Sequence, residues 1–136
     1  MAKTLEDAAK RIQYHAGTLD GVRQAPSYPP DGAPAGPFAV AAPMRGEWGR
    51  QADWKKGLHT IVCLILVPLK DTARDVQVLL PYGESFPDAI WGDPTLNSTV
   101  DSVNALRWTF GQHDYAGLPH LGWRFEIDIK QETAIT

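Results

Sequence analysis

Trp123-Arg124-Phe125-Glu126-Ile127-Asp128-Ile129-Lys130 alternates apolar and charged side chains over eight residues. Successive side chains of an extended chain point to opposite sides, so this stretch reads as a strand with one buried and one charged face. Just upstream, Leu106, Trp108 and Phe110 alternate with Arg107 and Thr109. The two runs are read as the arms of a hairpin, and Gly111 to Leu121 between them is too long for a tight turn and is expected to be a loop. A second kind of strand precedes them. Ile61-Val62-Cys63-Leu64-Ile65-Leu66-Val67 is uninterrupted and rich in β-branched residues. That pattern, within Leu58 to Leu69, fits a strand covered on both faces.

The remaining segments are arranged around these strands. Leu5, Ala8, Ala9, Ile12, Ala16 and Leu19 recur at spacings of three and four, which makes the stripe of an amphipathic helix over residues 5–18. Thr4 is placed to cap it, and Gly17 and Gly21 to end it. Val22 to Tyr28 reads as a short extended piece. Pro26, Pro29, Pro30, Pro34, Pro37 and Pro43 then supply six of the eleven prolines. Proline lacks the amide hydrogen of a central strand, so this tract belongs to loop or sheet edge. Phe38 to Ala42 is the one part of it apolar enough for a strand. Met44 to Gly57 follows with no clear periodicity and is expected to be a long exposed hairpin loop joining two strands. Asp71 is placed to cap a helix with Ala73, Val76, Leu79 and Leu80 inward, ended by Pro81. Ser85, with Asp88 three residues later, reads as the start of a brief further helix. The expected fold is a single α+β or α/β domain over residues 1–136. Its mixed, mostly antiparallel sheet is flanked by an N-terminal and a middle helix, and a Pro/Gly-rich and long-loop region spans 24–57.

Composition excludes several classes. The chain has 136 residues, 43% of them hydrophobic and 21% charged, the balance of one globular domain. Thirteen basic against sixteen acidic side chains give a net charge of −3, which argues against a strongly cationic nucleic-acid binder. A single cysteine, Cys63, forms no internal disulfide and reads as a packed core thiol. The longest apolar run is far short of a membrane span, and the start lacks the apolar segment of a signal peptide. A soluble protein folded in a reducing compartment is expected.

Chemistry-bearing motifs are sparse. Gly32-Ala33-Pro34-Ala35-Gly36 is glycine-rich but is followed by no Lys-Ser/Thr pair. Asp71 and Asp75 read as a cap and a solvated surface group, and no serine lies in a G-x-S-x-G turn. No cofactor and no metal are expected, and the chain is not expected to be an enzyme. The alternative is a small metal-dependent enzyme or ligand-binding domain, in which His113, Asp114 and His120, with Tyr115, come together in one loop. The remaining anomaly is the stretch with Arg45, Glu47, Trp48, Arg50, Trp54, Lys55 and Lys56. Tryptophan and arginine are enriched at protein–protein contacts. Either both indoles fold back on their own sheet or this stretch is a docking arm that is buried only in an assembly. A single-stranded nucleic-acid platform is the weaker third reading, given the negative net charge.

Taken in order, an amphipathic helix, a proline-rich tract with Tyr28-Pro29-Pro30, an apolar strand and a long loop lead to the hydrophobic strand at 58–69. Middle helices follow, then a terminal pair ending Gly122-Trp123-Arg124-Phe125-Glu126-Ile127-Asp128-Ile129. In element order and size, over nearly the whole chain, this resembles the tail terminator (tail completion) proteins of long-tailed bacteriophages. The resemblance implies a homo-oligomeric ring of six subunits at the tail–neck junction of the virion, assembled in the cytoplasm of the host bacterium. Such a ring caps the major tail tube protein, stops its polymerisation and offers a surface to the head–tail connector or stopper. Genomic DNA passes through its lumen without sequence-specific binding, and no membrane is involved. In that family a hairpin loop between early strands contacts the tube or neighbouring subunits, which implies an interface at Arg45, Glu47, Trp48, Arg50, Trp54, Lys55 and Lys56. A neck stopper or adaptor is the close alternative.

Overall fold

A computed structural model describes residues 4–22, 37–69, 72–115 and 117–134. Among these residues four strands form one sheet: β1 (Phe38–Gln51), β2 (Trp54–Pro68), β3 (Ser102–Tyr115) and β4 (Leu118–Ala134). Their order is β1-β2-β4-β3 and every pair is antiparallel, so the fold is α+β and the sheet has no parallel pair. Among the described residues three helices accompany it: α1 (Leu5–Gly17), α2 (Thr72–Leu79) and α3 (Tyr82–Trp91). The apolar alternation read in 123–130 is the one the structure uses. Trp123, Phe125, Ile127 and Ile129 are buried on the inner, helix-covered face with Ile61, Cys63, Ile65 and Val67 of β2. Burial pushes the Cys63 thiol well above its usual range, which suits a packing role.

Each helix is tied to the sheet by identifiable contacts. Thr4 accepts a hydrogen bond from the Asp7 amide at 3.1 Å, and Ala8, Ala9, Ile12 and Ala16 face inward. Buried Gln13 donates from its side chain to the Ala39 carbonyl, joining α1 to β1. Leu79 and partly buried Val76 seat α2 on the core, whereas Ala73 and Leu80 point outward, contrary to expectation. Leu80 lies in the turn after the helix, beyond the end of its inward stripe. The second middle helix begins at Tyr82, earlier than the expected Ser85 start. Pro81 takes the N-cap position, and the Ser85 hydroxyl donates back to the Pro81 carbonyl at 3.1 Å. Trp123 closes this side: its indole N–H donates to the Leu79 carbonyl at 2.8 Å. Its ring lies so close to Gly83 that an added Cβ there would sit 2.5 Å from it.

The expected cap Asp71 and most of the extended piece Val22 to Tyr28 lie outside the described residues, as do the prolines before Pro37. Phe38 to Ala42 is the strand expected, and it opens β1. Pro43 sits where the β1–β2 register breaks, between Pro43 and Arg45. Among the described residues β1 is an edge strand, so the missing amide hydrogen there disrupts no interior ladder.

A charged knot joins α1 to the segment after α3. Arg11 Nε and His15 Nε2 both contact Asp93 Oδ2, at 2.8 and 2.7 Å, and the Asn97 amide donates to Oδ1 at 3.0 Å. Burial acts to raise the Asp93 pKa, but the Arg11 and His15 hydrogen bonds and the Asn97 amide outweigh it and hold the carboxyl at about 2. A carboxyl held low stabilises the fold above its unfolded pKa, and that contribution is lost as pH falls from about 4 to about 2. Asp93→Asn is expected to lower stability at neutral pH by on the order of 1 kcal/mol and to flatten the acid limb in that window. Thermal melts followed by circular dichroism between about pH 2 and about pH 7 check this.

Candidate interaction surface

The segment 44–57 is a hairpin, as expected, but it is built of strand rather than loop. Ladder pairs continue through Trp48↔Gly57 and Arg50↔Lys55 to Gln51↔Trp54, leaving Ala52 and Asp53 as a two-residue turn. Ala52 has φ 52°, a left-handed conformation that turns of this kind usually give to glycine or asparagine. No Asn-Gly or Asp-Gly marks the turn, so its tightness is invisible in the sequence. The hairpin also has a third strand. β4 pairs with β2 out to Trp54↔Ala134, whereas β3 stops against Lys130, so residues 131–134 back the arm.

Strand parity then divides the expected interface residues between two surfaces. Trp48, Arg50 and Lys55 share the inner face with His59, whereas Arg45, Glu47, Trp54 and Lys56 lie on the outer face. The two indoles, 46% and 54% exposed, therefore point to opposite sides of one thin arm. Trp48 is held in place. Its ring meets that of His59 edge-on with centroids 4.3 Å apart, and the Lys55 ammonium lies 4.5 Å from its centre. Gly46 and Gly57 make this seat possible, because a Cβ at either would fall within 2.8 Å of ring atoms of His59 or Trp48. Burial lowers the His59 pKa, keeping that ring neutral. Trp54 lies beside Ala52, Lys56 and Glu132 at a shallow depression near the arm's tip.

Outside the arm, the outer face carries a charge ladder. Arg107 grips Asp128 with two hydrogen bonds of 2.6 and 3.0 Å, and Thr60 donates to the same carboxylate at 2.7 Å. Glu126 lies 3.5 Å from Arg107 and 3.4 Å from Arg124. The Arg107 hydrogen bond, against burial and with help from Thr60 and Arg45, lowers the Asp128 pKa. Such a face stays hydrated, so the aromatic groups are what an occluded contact would use.

Two further tryptophans are exposed, Trp91, which no sequence pattern singled out, and Trp108, which alternation placed on an apolar strand face. Trp91 and Trp108 are 48% and 59% exposed, so of five tryptophans only Trp123 is buried. Trp108 occupies an apolar position of its alternating strand, touching Trp123 with centroids 5.3 Å apart. It stays open because β3 is a sheet edge. Alternation alone carries no information about which strand is outermost.

The alternative site is rearranged. Gly111 to Leu121 is no loop: β3 and β4 run on to Tyr115↔Leu118, with Gly117 at φ 77° in a tight turn. His113 and His120 are direct cross-strand partners on the outer face, while Asp114 pairs with Pro119 and faces the other way. The three groups expected together are thus split, and among the described residues no cluster of three or more His, Cys, Asp or Glu could hold a metal ion. No described helix is long and apolar enough to cross a membrane. No protein-family model and no curated protein sequence matches the chain.

Proposed function

We propose that this chain is a structural protein of a phage virion, a tail terminator whose copies close into a ring on the end of the tail tube. The observation that carries the reading is the pair of half-exposed indoles on opposite faces of the arm, Trp48 inward and Trp54 outward. A two-sided arm needs two neighbours, and in a capping ring one side meets the adjacent subunit while the other meets the tube. The sheet's edges favour the same arrangement. Among the described residues β1 and β3 are both unpaired along their outer sides, and they differ in sequence, so joining one to the other is a head-to-tail contact. Head-to-tail contacts close into rings when the rotation permits. The resemblance in element order implies six subunits. The charge of −3 leaves little attraction for DNA sliding through the lumen.

Light scattering and negative-stain microscopy of the purified chain, alone and with purified tail tubes, test this. Closed rings, free or seated on tube ends, are the expected result. A protein that stays monomeric and ignores tubes would overturn the reading. Binding to filled heads without binding to tubes would move the role to the neck stopper.

A further inference from the structure

His113 and His120 are brought together by a feature that the ring reading does not use. They oppose each other directly in the β3–β4 ladder, on the same face as the turn-flanking Tyr115 and Leu118, with one residue pair between. Directly opposed side chains have Cβ atoms about 5 Å apart, within the span over which two imidazoles can share one ligand. Each ring is already anchored through one nitrogen. His120 Nδ1 donates to the Leu118 carbonyl at 3.0 Å, and His113 is hydrogen-bonded to the Gly122 backbone. Edge-on contacts with Phe38 and Tyr115, at centroid distances of 5.6 and 5.9 Å, fix the plane of the His120 ring.

What remains is the other nitrogen of each ring. Nε2 of His113 and Nε2 of His120 are both shielded from solvent, and neither has a hydrogen-bond partner. His120 as a whole is only 1% exposed. Buried polar atoms without partners are rare, because each one forfeits its hydration with nothing in return. A carbonyl at Nδ1 forces the proton onto that nitrogen, so Nε2 of His120 presents a bare lone pair. This is the arrangement in which a histidine binds a metal: Nδ1–H to a backbone carbonyl and Nε2 to the ion.

We propose that His113 and His120 form a two-histidine site for a divalent transition-metal ion, bound through both Nε2 atoms. Two imidazole nitrogens select borderline ions such as Zn²⁺, Ni²⁺ and Cu²⁺ over Mg²⁺ or Ca²⁺, which take oxygen ligands. Burial, then the nearby Arg124 charge, lower the His113 pKa. The site clamps the turn end of the β3–β4 hairpin and requires no second copy of the chain, so it stands or falls independently of the ring reading.

The test uses the full chain at about pH 7.5, titrated with Zn²⁺, Ni²⁺ or Cu²⁺ and followed by calorimetry and thermal melting. One ion per chain, a raised melting temperature, and nitrogen hyperfine splitting in the Cu²⁺ electron paramagnetic resonance spectrum are expected. Mg²⁺ should have no effect. His113→Gln, at the less buried position, should weaken binding at least tenfold while leaving the metal-free melt nearly unchanged, and His120→Gln should do the same where it folds. Binding that survives in His113→Gln would place the ion on other groups and overturn the proposal. No binding by the folded wild-type chain would do so too, leaving a bridging water as the occupant of the two lone pairs.

Discussion

Gly122→Ala is expected to abolish folding or to lower stability by more than about 3 kcal/mol, while Gly111→Ala is expected to be harmless. The two glycines face each other across β3 and β4, so their side positions lie on the same face of the sheet. Their surroundings are opposite. A Cβ on Gly122 would lie 2.0 Å from the Ile65 carbonyl oxygen and 2.9 Å from Leu66 Cα, and neither backbone atom can move without shifting β2. A Cβ on Gly111 meets nothing within 4 Å, because β3 is the edge. The clash therefore falls on the central β2–β4 pair, which carries most of the sheet's share of the buried core. A domain with roughly 5–15 kcal/mol of total stability has little reserve for it. Urea unfolding monitored by tryptophan fluorescence should show no cooperative transition, or a much lower midpoint, for Gly122→Ala. For Gly111→Ala the midpoint should match wild type or exceed it slightly, since alanine narrows the unfolded ensemble. Equal effects of the two substitutions would refute the Gly111↔Gly122 pairing and the close approach of Gly122 to β2.

Trp54→Ala is expected to weaken ring assembly and tube binding at least thirtyfold while leaving the subunit's fold intact. Its indole is 54% exposed on the outer face and contributes little to the isolated chain. A surface substitution of that kind changes stability by about 0.5 kcal/mol or less. At an interface, a buried tryptophan anchor is worth about 2 kcal/mol or more, which is where the thirtyfold comes from. Trp48→Ala is the partner experiment. It removes the ring from the His59 seat and the Lys55 ammonium from its aromatic face, so it should also reduce subunit stability by about 1 kcal/mol. If the arm touches different neighbours with its two faces, one substitution impairs subunit–subunit association and the other impairs attachment to the tube. Sedimentation velocity of the free protein and pelleting with tail tubes separate the two effects. Normal assembly by both variants would place the contact elsewhere, with Trp91 and Trp108 next to be tested.

Much of the architecture follows from local pattern. The Thr4 cap and the three-four spacing of Leu5 to Ala16 specify α1 almost to the residue. The alternation in 123–130 and the apolar run at 61–67 specify the two central strands and, for β4, which side is buried. The arm and the β3–β4 end were less legible because their sequences lack strand periodicity. Gly46, Gly49 and Gly57 interrupt any alternation in the arm, and polar His113, Asp114 and His120 do so at the hairpin tip. These segments are extended because each is paired along its whole length with a neighbour.

The sequence by itself determined the elements of the inner core, because burial of an apolar stripe is encoded one turn or one residue pair at a time. Only the tertiary structure decided which side each indole takes, since the tight turn at Ala52 and Asp53 inverts the parity between Trp48 and Trp54. It likewise decided that His113 and His120 meet while Asp114 turns away, because register, a relation between distant segments, sets which side chains share a face.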